Sequence, residues 1–151
     1  MLDPEKPYHA HIDRRLRTEP IIWLVTSSPS GRPHIVPMWF LWDGRMVLLF
    51  SLSNTRRLRN IAANSSVVLA LEAAGQGYDV VIVEGRATFI DDPLINGAMP
   101  ALVEKYSRVP RRWPPEEWAQ KFSRTISVVP TKLTAWKTRP GDPPEYVSIR
   151  S

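Results

Sequence analysis

The sequence contains no cysteine. Disulfides, thiolate zinc sites, iron–sulfur clusters and cysteine nucleophiles are therefore excluded, and redox chemistry would need a bound cofactor. Histidine is also scarce, because His9, His11 and His34 are the only three. They are too few and too widely spaced to indicate a metal site, so we predict none.

No stretch approaches the roughly 20 apolar residues that a membrane-spanning helix needs. The first residues also lack the basic segment and apolar run of a secretory leader. We therefore expect a cytoplasmic protein without a membrane partner.

Acidic residues are the minority, with 15 Asp and Glu against 20 Lys and Arg, which gives a net charge of +5. A basic protein is suited to an anionic ligand. The basic residues are nevertheless scattered among predicted strands and turns, and they match no helix-turn-helix, RNA-recognition or zinc-finger pattern. A nucleic-acid partner is not expected.

No glycine-rich turn joins a strand to a helix, so a parallel dinucleotide-binding fold lacks support. Six or seven predicted strands, mostly joined as hairpins, instead favour an antiparallel barrel within one domain, residues 1–151. Gly85 is expected to bend the longest strand. The predicted strands cover residues 21–26, 34–42, 46–51, 67–72, 79–90, 125–129 and 132–137.

The predicted helices are few and short. One covers residues 8–18 and a second runs from an Asn54 cap to about residue 63, with Leu58, Ile61 and Ala62 as its apolar stripe. Others are predicted at residues 94–106, opened by Asp92, and from residue 114. The proline-rich tail, residues 138–151, is expected to be partly disordered.

The predicted helix start at residues 54–60 combines groups that bind anions. It brings together the Thr55 hydroxyl, free backbone N–H groups and the guanidinium groups of Arg56, Arg57 and Arg59. The alternative is a solvated basic helix face capped by Asn54. Repulsion among three neighbouring arginines favours the bound anion.

Pro37 interrupts an otherwise continuous strand pattern and cannot donate a ladder hydrogen bond. Strand pairing is expected to break there, which would free the backbone of Val36, Met38 and Trp39 for a ligand such as a flavin ring. The alternative is an edge strand or a bulge without a ligand. Alternation along the strand allows only one or two of the nearby aromatic side chains to face a ligand.

Five segments follow one another in a characteristic order. They are the turn at residues 28–33, the run at residues 37–40, the turn at residues 42–44, the helix start at residues 55–60 and the strand at residues 81–87. This order resembles the pyridoxamine 5′-phosphate oxidase-like superfamily, and within it the deazaflavin-dependent branch. The resemblance covers roughly residues 16–137.

The resemblance implies a homodimeric split β-barrel that binds FMN or coenzyme F420 at the subunit interface. The phosphate would be held by residues 55–60, and Tyr78 would approach the ring from the partner subunit. Arg57 replaces the lysine usual in this motif, which keeps a phosphate donor but changes its geometry. The implied cofactor-binding residues are Pro37, Met38, Trp39, Ser51, Thr55, Arg56, Arg57, Arg59, Asn60 and Tyr78.

The function that follows is a coenzyme F420-dependent oxidoreductase, which transfers hydride between the deazaflavin and a small conjugated or heteroaromatic acceptor. Such a reaction needs few acid–base side chains because the cofactor carries the redox chemistry. That agrees with a sequence in which no catalytic constellation is recognisable. The alternatives are an FMN-dependent reductase or oxidase, and a protein that carries the cofactor without turnover.

Overall fold

The computed structural model describes residues 1–72, 78–90, 92–110 and 112–151. Eight strands form one antiparallel sheet in the order β2-β1-β5-β6-β7-β4-β3, and β8 pairs with β7. The elements are α1 (Pro7–Thr18), β1 (Ile22–Ser27), β2 (Pro33–Met38), β3 (Phe40–Trp42), β4 (Val47–Ser51), α2 (Arg56–Ala63), β5 (Ser66–Glu72), β6 (Asp79–Ile90), α3 (Asp92–Lys105), α4 (Pro115–Lys121), β7 (Arg124–Lys137) and β8 (Glu145–Arg150).

The sheet curls because its two ends meet. Strands β2 and β3 stand at opposite ends of the strand order, yet only Trp39 separates the last residue of β2 from the first of β3. Two strands joined by one residue cannot be far apart. The sheet is therefore a curled half-barrel, and the predicted antiparallel split β-barrel is confirmed.

The core fills the inside of this curl. Helix α1 contributes Ile12 and Leu16, which are fully buried and four residues apart, as the sequence spacing predicts. The strands contribute alternate side chains that meet them in the same cluster: Ile22, Leu24, Phe40, Leu49, Leu69, Val83, Ile126 and Leu133. A second, smaller cluster lies beneath α3 and α4 and contains Phe50, Leu102, Tyr106 and Trp118.

The pairing of β6 with β7 is irregular at Gly85, the residue at which the sequence predicts a bend. The register against β7 shifts there, so that Glu84 pairs with Lys132 while Gly85 pairs with Pro130. The extra residue, Thr131, belongs to the bulge, and a bulge is where a sheet tolerates a proline. The predicted separate strands at residues 125–129 and 132–137 are therefore one continuous strand, and that part of the prediction is wrong.

The expected break at Pro37 is also wrong in position. Pairing with β1 continues through Pro37, which lies opposite Trp23, and through Met38, which lies opposite Ile22. The ladder ends at Trp39 instead. Strand β2 is at an edge of the sheet, where a missing N–H need not interrupt a ladder. Pro37 therefore lies within an edge strand, and its position there does not test whether a ligand binds beside it.

Helix α2 begins one residue later than predicted. Thr55 holds the N-cap position, whereas Asn54 has a φ of 57°, in the left-handed region that asparagine tolerates. The Asn54 cap is therefore wrong. Asn60 joins Leu58 and Ile61 on the buried face, in place of Ala62, which is exposed.

The tail is more ordered than predicted, because residues 145–150 form β8 along the second half of β7. The predicted linker at residues 73–77 and the side chain of the predicted cap Asp92 lie outside the described part of the chain. In the helices that are described, none is long and apolar enough to cross a membrane.

Candidate cofactor cavity

A cavity of about 320 Å³ opens beside the junction of β2 and β3. One wall consists of Pro37, Met38 and Trp39, and Arg57 from the first turn of α2 reaches another. Trp118 and neighbouring aromatic residues of the α4 region complete it. The structure thus brings together the proline-centred segment and one arginine of the basic helix start.

A second depression in the described part of the chain lacks this combination. A wider and more open one of about 540 Å³ lies on the outer face of the sheet around Ser27, Glu84 and Arg86. Its described lining has no aromatic side chain that could stack on a planar ring. The aromatic cavity is therefore the better candidate for a cofactor.

Arg57 is positioned by a buried hydroxyl. Its Nε donates to Ser51 Oγ at 2.9 Å, and Ser51 Oγ in turn donates to the carbonyl of Leu52 at 2.9 Å. The side chain of Arg57 is half-buried, and this desolvation lowers its pKa. No carboxylate is among the described lining residues. A guanidinium group in an apolar cavity without a carboxylate favours an anionic ligand.

The start of α2 adds to this preference. Thr55 makes no side-chain capping hydrogen bond, and its Oγ1 lies 3.4 Å from Ser51 Oγ. The first-turn N–H groups therefore lack a side-chain acceptor. The same region lowers the pKa of His34, first through desolvation and then through the positive charges of Arg56 and Arg57. Both observations indicate a place for negative charge.

The remaining predicted residues lie elsewhere. Arg56 and Arg59 are exposed and do not line the cavity, and Arg59 donates to the backbone oxygen of Asn54 at 3.2 Å. Asn60 is buried, and its Nδ2 donates to Thr26 Oγ1 at 3.0 Å, which ties α2 to β1. Tyr78 is 43% exposed before β6, outside the cavity lining.

Sequence reasoning included Trp39 but missed the part of the aromatic wall that Trp118 and Phe122 form. The Trp39 ring stacks on Tyr106 with 4.1 Å between centroids and on Trp118 with 5.1 Å, and Trp118 stacks on Phe122 with 4.6 Å. The four-residue spacing of Trp118 and Phe122 is a signal that they share a helix face. Nothing in the sequence indicates that this face packs on Trp39.

Tyr106 also fixes the backbone where the two sheet ends meet. Its hydroxyl accepts from the N–H of Phe40 at 2.8 Å and lies 2.9 Å from the carbonyl oxygen of Pro20, to which it can donate. Pro20 immediately precedes the β1 region and Phe40 begins β3. Burial raises the pKa of this phenol, so its hydroxyl stays protonated.

Lys105 also contacts Phe40, at its carbonyl group and its ring. Its Nζ donates to the carbonyl of Phe40 at 3.0 Å and lies 3.5 Å from the centroid of the Phe40 ring. Burial lowers the pKa of this amine to about 7, and the attraction of Glu19 offsets only part of that effect. Folding therefore disfavours the charged form of Lys105.

This shift predicts a pH dependence of stability. The unfolded chain binds the Lys105 proton up to about pH 10, whereas the folded chain releases it near pH 7. The unfolded state therefore holds more protons between these values, and stability rises with pH. Relative to Lys105→Met, the free energy of unfolding of the wild type should rise from pH 7 to 9 by up to about 1.4 kcal/mol per pH unit. Urea titrations at several pH values measure this.

Lys6→Met is the control, because Lys6 has an exposed side chain. That variant should keep the wild-type pH profile. Parallel profiles for the wild type and Lys105→Met would show that the Lys105 amine is not desolvated in solution.

Fold and site together define a class of protein. A curled antiparallel half-barrel with an aromatic cavity beside a basic helix start is a split β-barrel with a candidate ligand site. The chain belongs to the pyridoxamine 5′-phosphate oxidase family, whose model matches residues 8–137. The resemblance seen in the sequence is therefore confirmed at the level of the family.

Solved structures show the same fold. An F420 reductase is 27% identical, with 80% of this chain and 94% of that chain covered and a TM-score of 0.64. A conserved hypothetical protein from Mycobacterium tuberculosis is 21% identical over 89% and 88% of the two chains, with a TM-score of 0.73. The heme storage protein HutZ from Vibrio cholerae is 19% identical over 85% and 89%, with a TM-score of 0.63. No curated protein matches the sequence.

Proposed function

We propose that the protein is a coenzyme F420-dependent oxidoreductase that transfers hydride between the deazaflavin and a small conjugated or heteroaromatic acceptor. The observation that carries this proposal is the position of Arg57, which Ser51 holds in a cavity walled by tryptophan rings. A phosphate needs a fixed cation, and a planar ring needs apolar walls. This cavity offers both.

The residues have separable tasks in this proposal. Arg57 and the Thr55 end of α2 bind the phosphate, while Trp39 and Trp118 contact the ring and exclude water. The bound cofactor supplies hydride chemistry, so the protein needs to position the reactants and shield them. Similarity to an F420 reductase supports F420 over FMN. The net charge of +5 suits either of these anionic cofactors.

We also propose that two copies pair as a homodimer through the outer face of the sheet, with the cofactor at the interface. This face exposes large apolar side chains, with Trp23 at 43%, Ile35 at 58% and Tyr146 at 67%. Trp23 and Ile35 lie on the paired strands β1 and β2, and Tyr146 lies on β8, which pairs with β7. Exposed apolar side chains of this size are typical of an interaction surface. Tyr78, also exposed, would then approach the ring from the partner subunit. Sedimentation velocity would detect the dimer as twice the chain mass, whereas a monomer at micromolar concentration would refute it.

Substitution of Arg57 tests the cofactor site. We expect the wild-type protein to bind F420 with a micromolar Kd and FMN more weakly, as measured by quenching of tryptophan fluorescence. Arg57→Ala should weaken F420 binding by about 1.5 to 3 kcal/mol, or about 10- to 150-fold, because a charge-assisted hydrogen bond to the phosphate is lost. Tight FMN binding without an F420 response would instead identify an FMN protein.

Arg56→Ala is the matched control, because it removes the same charge from the same turn of α2 without touching the cavity lining. Its Kd should change far less. Equal losses in the two variants would assign binding to the general field of the helix and contradict the role of Arg57. Reduced F420 incubated with a panel of acceptors separates enzyme from carrier, because a carrier would oxidise it no faster than free solution does.

A further inference from the structure

We infer that the side of the cavity formed by Arg112 and Trp113 binds a planar aromatic anion, and that this anion is the hydride acceptor. The reduced cofactor would lose one hydride and one proton, while a conjugated double bond of the anion would gain the hydride on one atom and a proton from water on the other, so that the two-electron oxidation and reduction balance. The second half of this inference depends on the proposed function. Binding of the anion concerns the cavity alone and is tested without enzymatic turnover.

Two cations flank one tryptophan ring at this side. The guanidinium carbon of Arg112 lies 5.5 Å from the centroid of the Trp113 ring, and Lys121 Nζ lies 5.1 Å from it. Neither cation belongs to a salt bridge among the described residues. Of the two, Arg112 is among the described lining residues and Lys121 is not, so the charge of Arg112 is the one available to a ligand in the cavity.

This positive side is distinct from the proposed phosphate site. Arg57 belongs to α2, is half-buried and is anchored by Ser51, whereas Arg112 is exposed on the connection between α3 and α4. Both nonetheless line the same cavity. A cofactor phosphate bound at Arg57 would leave the charge of Arg112 uncompensated. The positive charge of Arg112 would therefore favour the binding of a second anion in the cavity.

The chemistry of the walls defines that second anion further. Trp113 is half-buried in the lining, and Trp118 and Phe122 extend the aromatic surface next to it. Aromatic faces favour planar rings, and a guanidinium group binds a carboxylate through two parallel hydrogen bonds. An aromatic carboxylate fits these features, whereas a neutral ring of the same shape would use only the walls.

Calorimetric titration with 2-naphthoate and 2-naphthamide tests the inference, because the two probes share a ring system and differ in charge. The protein is first saturated with whichever of F420 or FMN it binds. We expect naphthoate to bind at least about tenfold more tightly than naphthamide, the scale of one charge-assisted hydrogen bond. Arg112→Gln should remove this preference and leave naphthamide binding unchanged.

Arg108→Gln is the control, since Arg108 is exposed and outside the described cavity lining. It should retain the preference for naphthoate. Equal affinity for the two probes in the wild type, or the same loss in both arginine variants, would overturn the inference. Naphthoate that binds the cofactor-free protein but not the cofactor-saturated protein would assign Arg112 to the cofactor site and also overturn it. Absence of cofactor binding, with Arg112-dependent naphthoate binding intact, would refute the proposed function and leave the anion site standing.

Discussion

Replacing Gly85 with alanine is expected to destabilise the protein by about 3 kcal/mol, at the upper end for overpacking in a core. A Cβ at this position would lie 2.7 Å from Val128 Cγ1 and 2.7 Å from the carbonyl oxygen of Val129. The valine side chain can rotate, but the carbonyl oxygen belongs to the backbone. The added methyl group therefore has to push β6 and β7 apart at their bulge.

The cost is high because of where the bulge lies. Strand β6 pairs with β5 on one side and with the whole of β7 on the other, in the middle of the strand order. A displacement there disturbs both ladders. Urea-induced unfolding followed by circular dichroism measures the change in the free energy of unfolding.

Gly97→Ala is the matched control for this substitution. Gly97 lies in α3, and nothing approaches the position of an added Cβ within 4 Å. Alanine is the better helix former, so this variant should be neutral or stabilised by up to about 1 kcal/mol. A Gly85→Ala protein as stable as the wild type would show that the contact between β6 and β7 at the bulge is looser than described.

Tyr106→Phe is expected to destabilise the protein by about 1 to 3 kcal/mol, although it removes a single oxygen atom. The loss leaves the buried Phe40 N–H without the hydroxyl that bonds it, and a buried unsatisfied group costs about 1 to 3 kcal/mol, whereas Pro20 is exposed and its carbonyl can bind water instead. The phenylalanine ring keeps the stacking on Trp39. The effect therefore isolates the hydroxyl.

Ser107→Ala provides the comparison, because Ser107 is exposed and the loss of its hydroxyl should be tolerated within about 0.5 kcal/mol. Thermal and urea unfolding of the two variants give the difference directly. Equal stability of both would mean that water replaces the Tyr106 hydroxyl at the junction of β1 and β3. Intrinsic fluorescence, to which all six tryptophans contribute, reports in addition whether the aromatic cluster has moved.

Most of the fold was predictable because it depends on local alternation. The hairpins, the helix at α1 and the bend at Gly85 follow from side-chain spacing and from turn residues. The errors at Pro37 and at residues 125–137 have one cause. Whether a proline breaks a ladder depends on which strand lies beside it, and a single sequence does not contain that information.

The candidate site was likewise predictable only where its residues are adjacent in the sequence. The basic helix start was visible because Thr55, Arg56 and Arg57 are adjacent in sequence, and the structure brings Arg57 to the cavity. Asn60 looks like its polar neighbours in the sequence, yet its amide is used inside the core. The wall formed by Trp118 depends on how α4 packs against β3, a long-range contact without a local pattern.

Trp39, the single residue between β2 and β3, relates ligand binding in the cavity to folding of the sheet. Trp39 is both the seam at which the barrel closes and a wall of the cavity. A ligand ring that stacks on Trp39 therefore stabilises the junction of β2 and β3. Local unfolding of this junction removes part of the ligand-binding surface. Ligand binding and closure of the sheet are then thermodynamically coupled, so that a ligand which binds the closed form shifts the equilibrium towards closure.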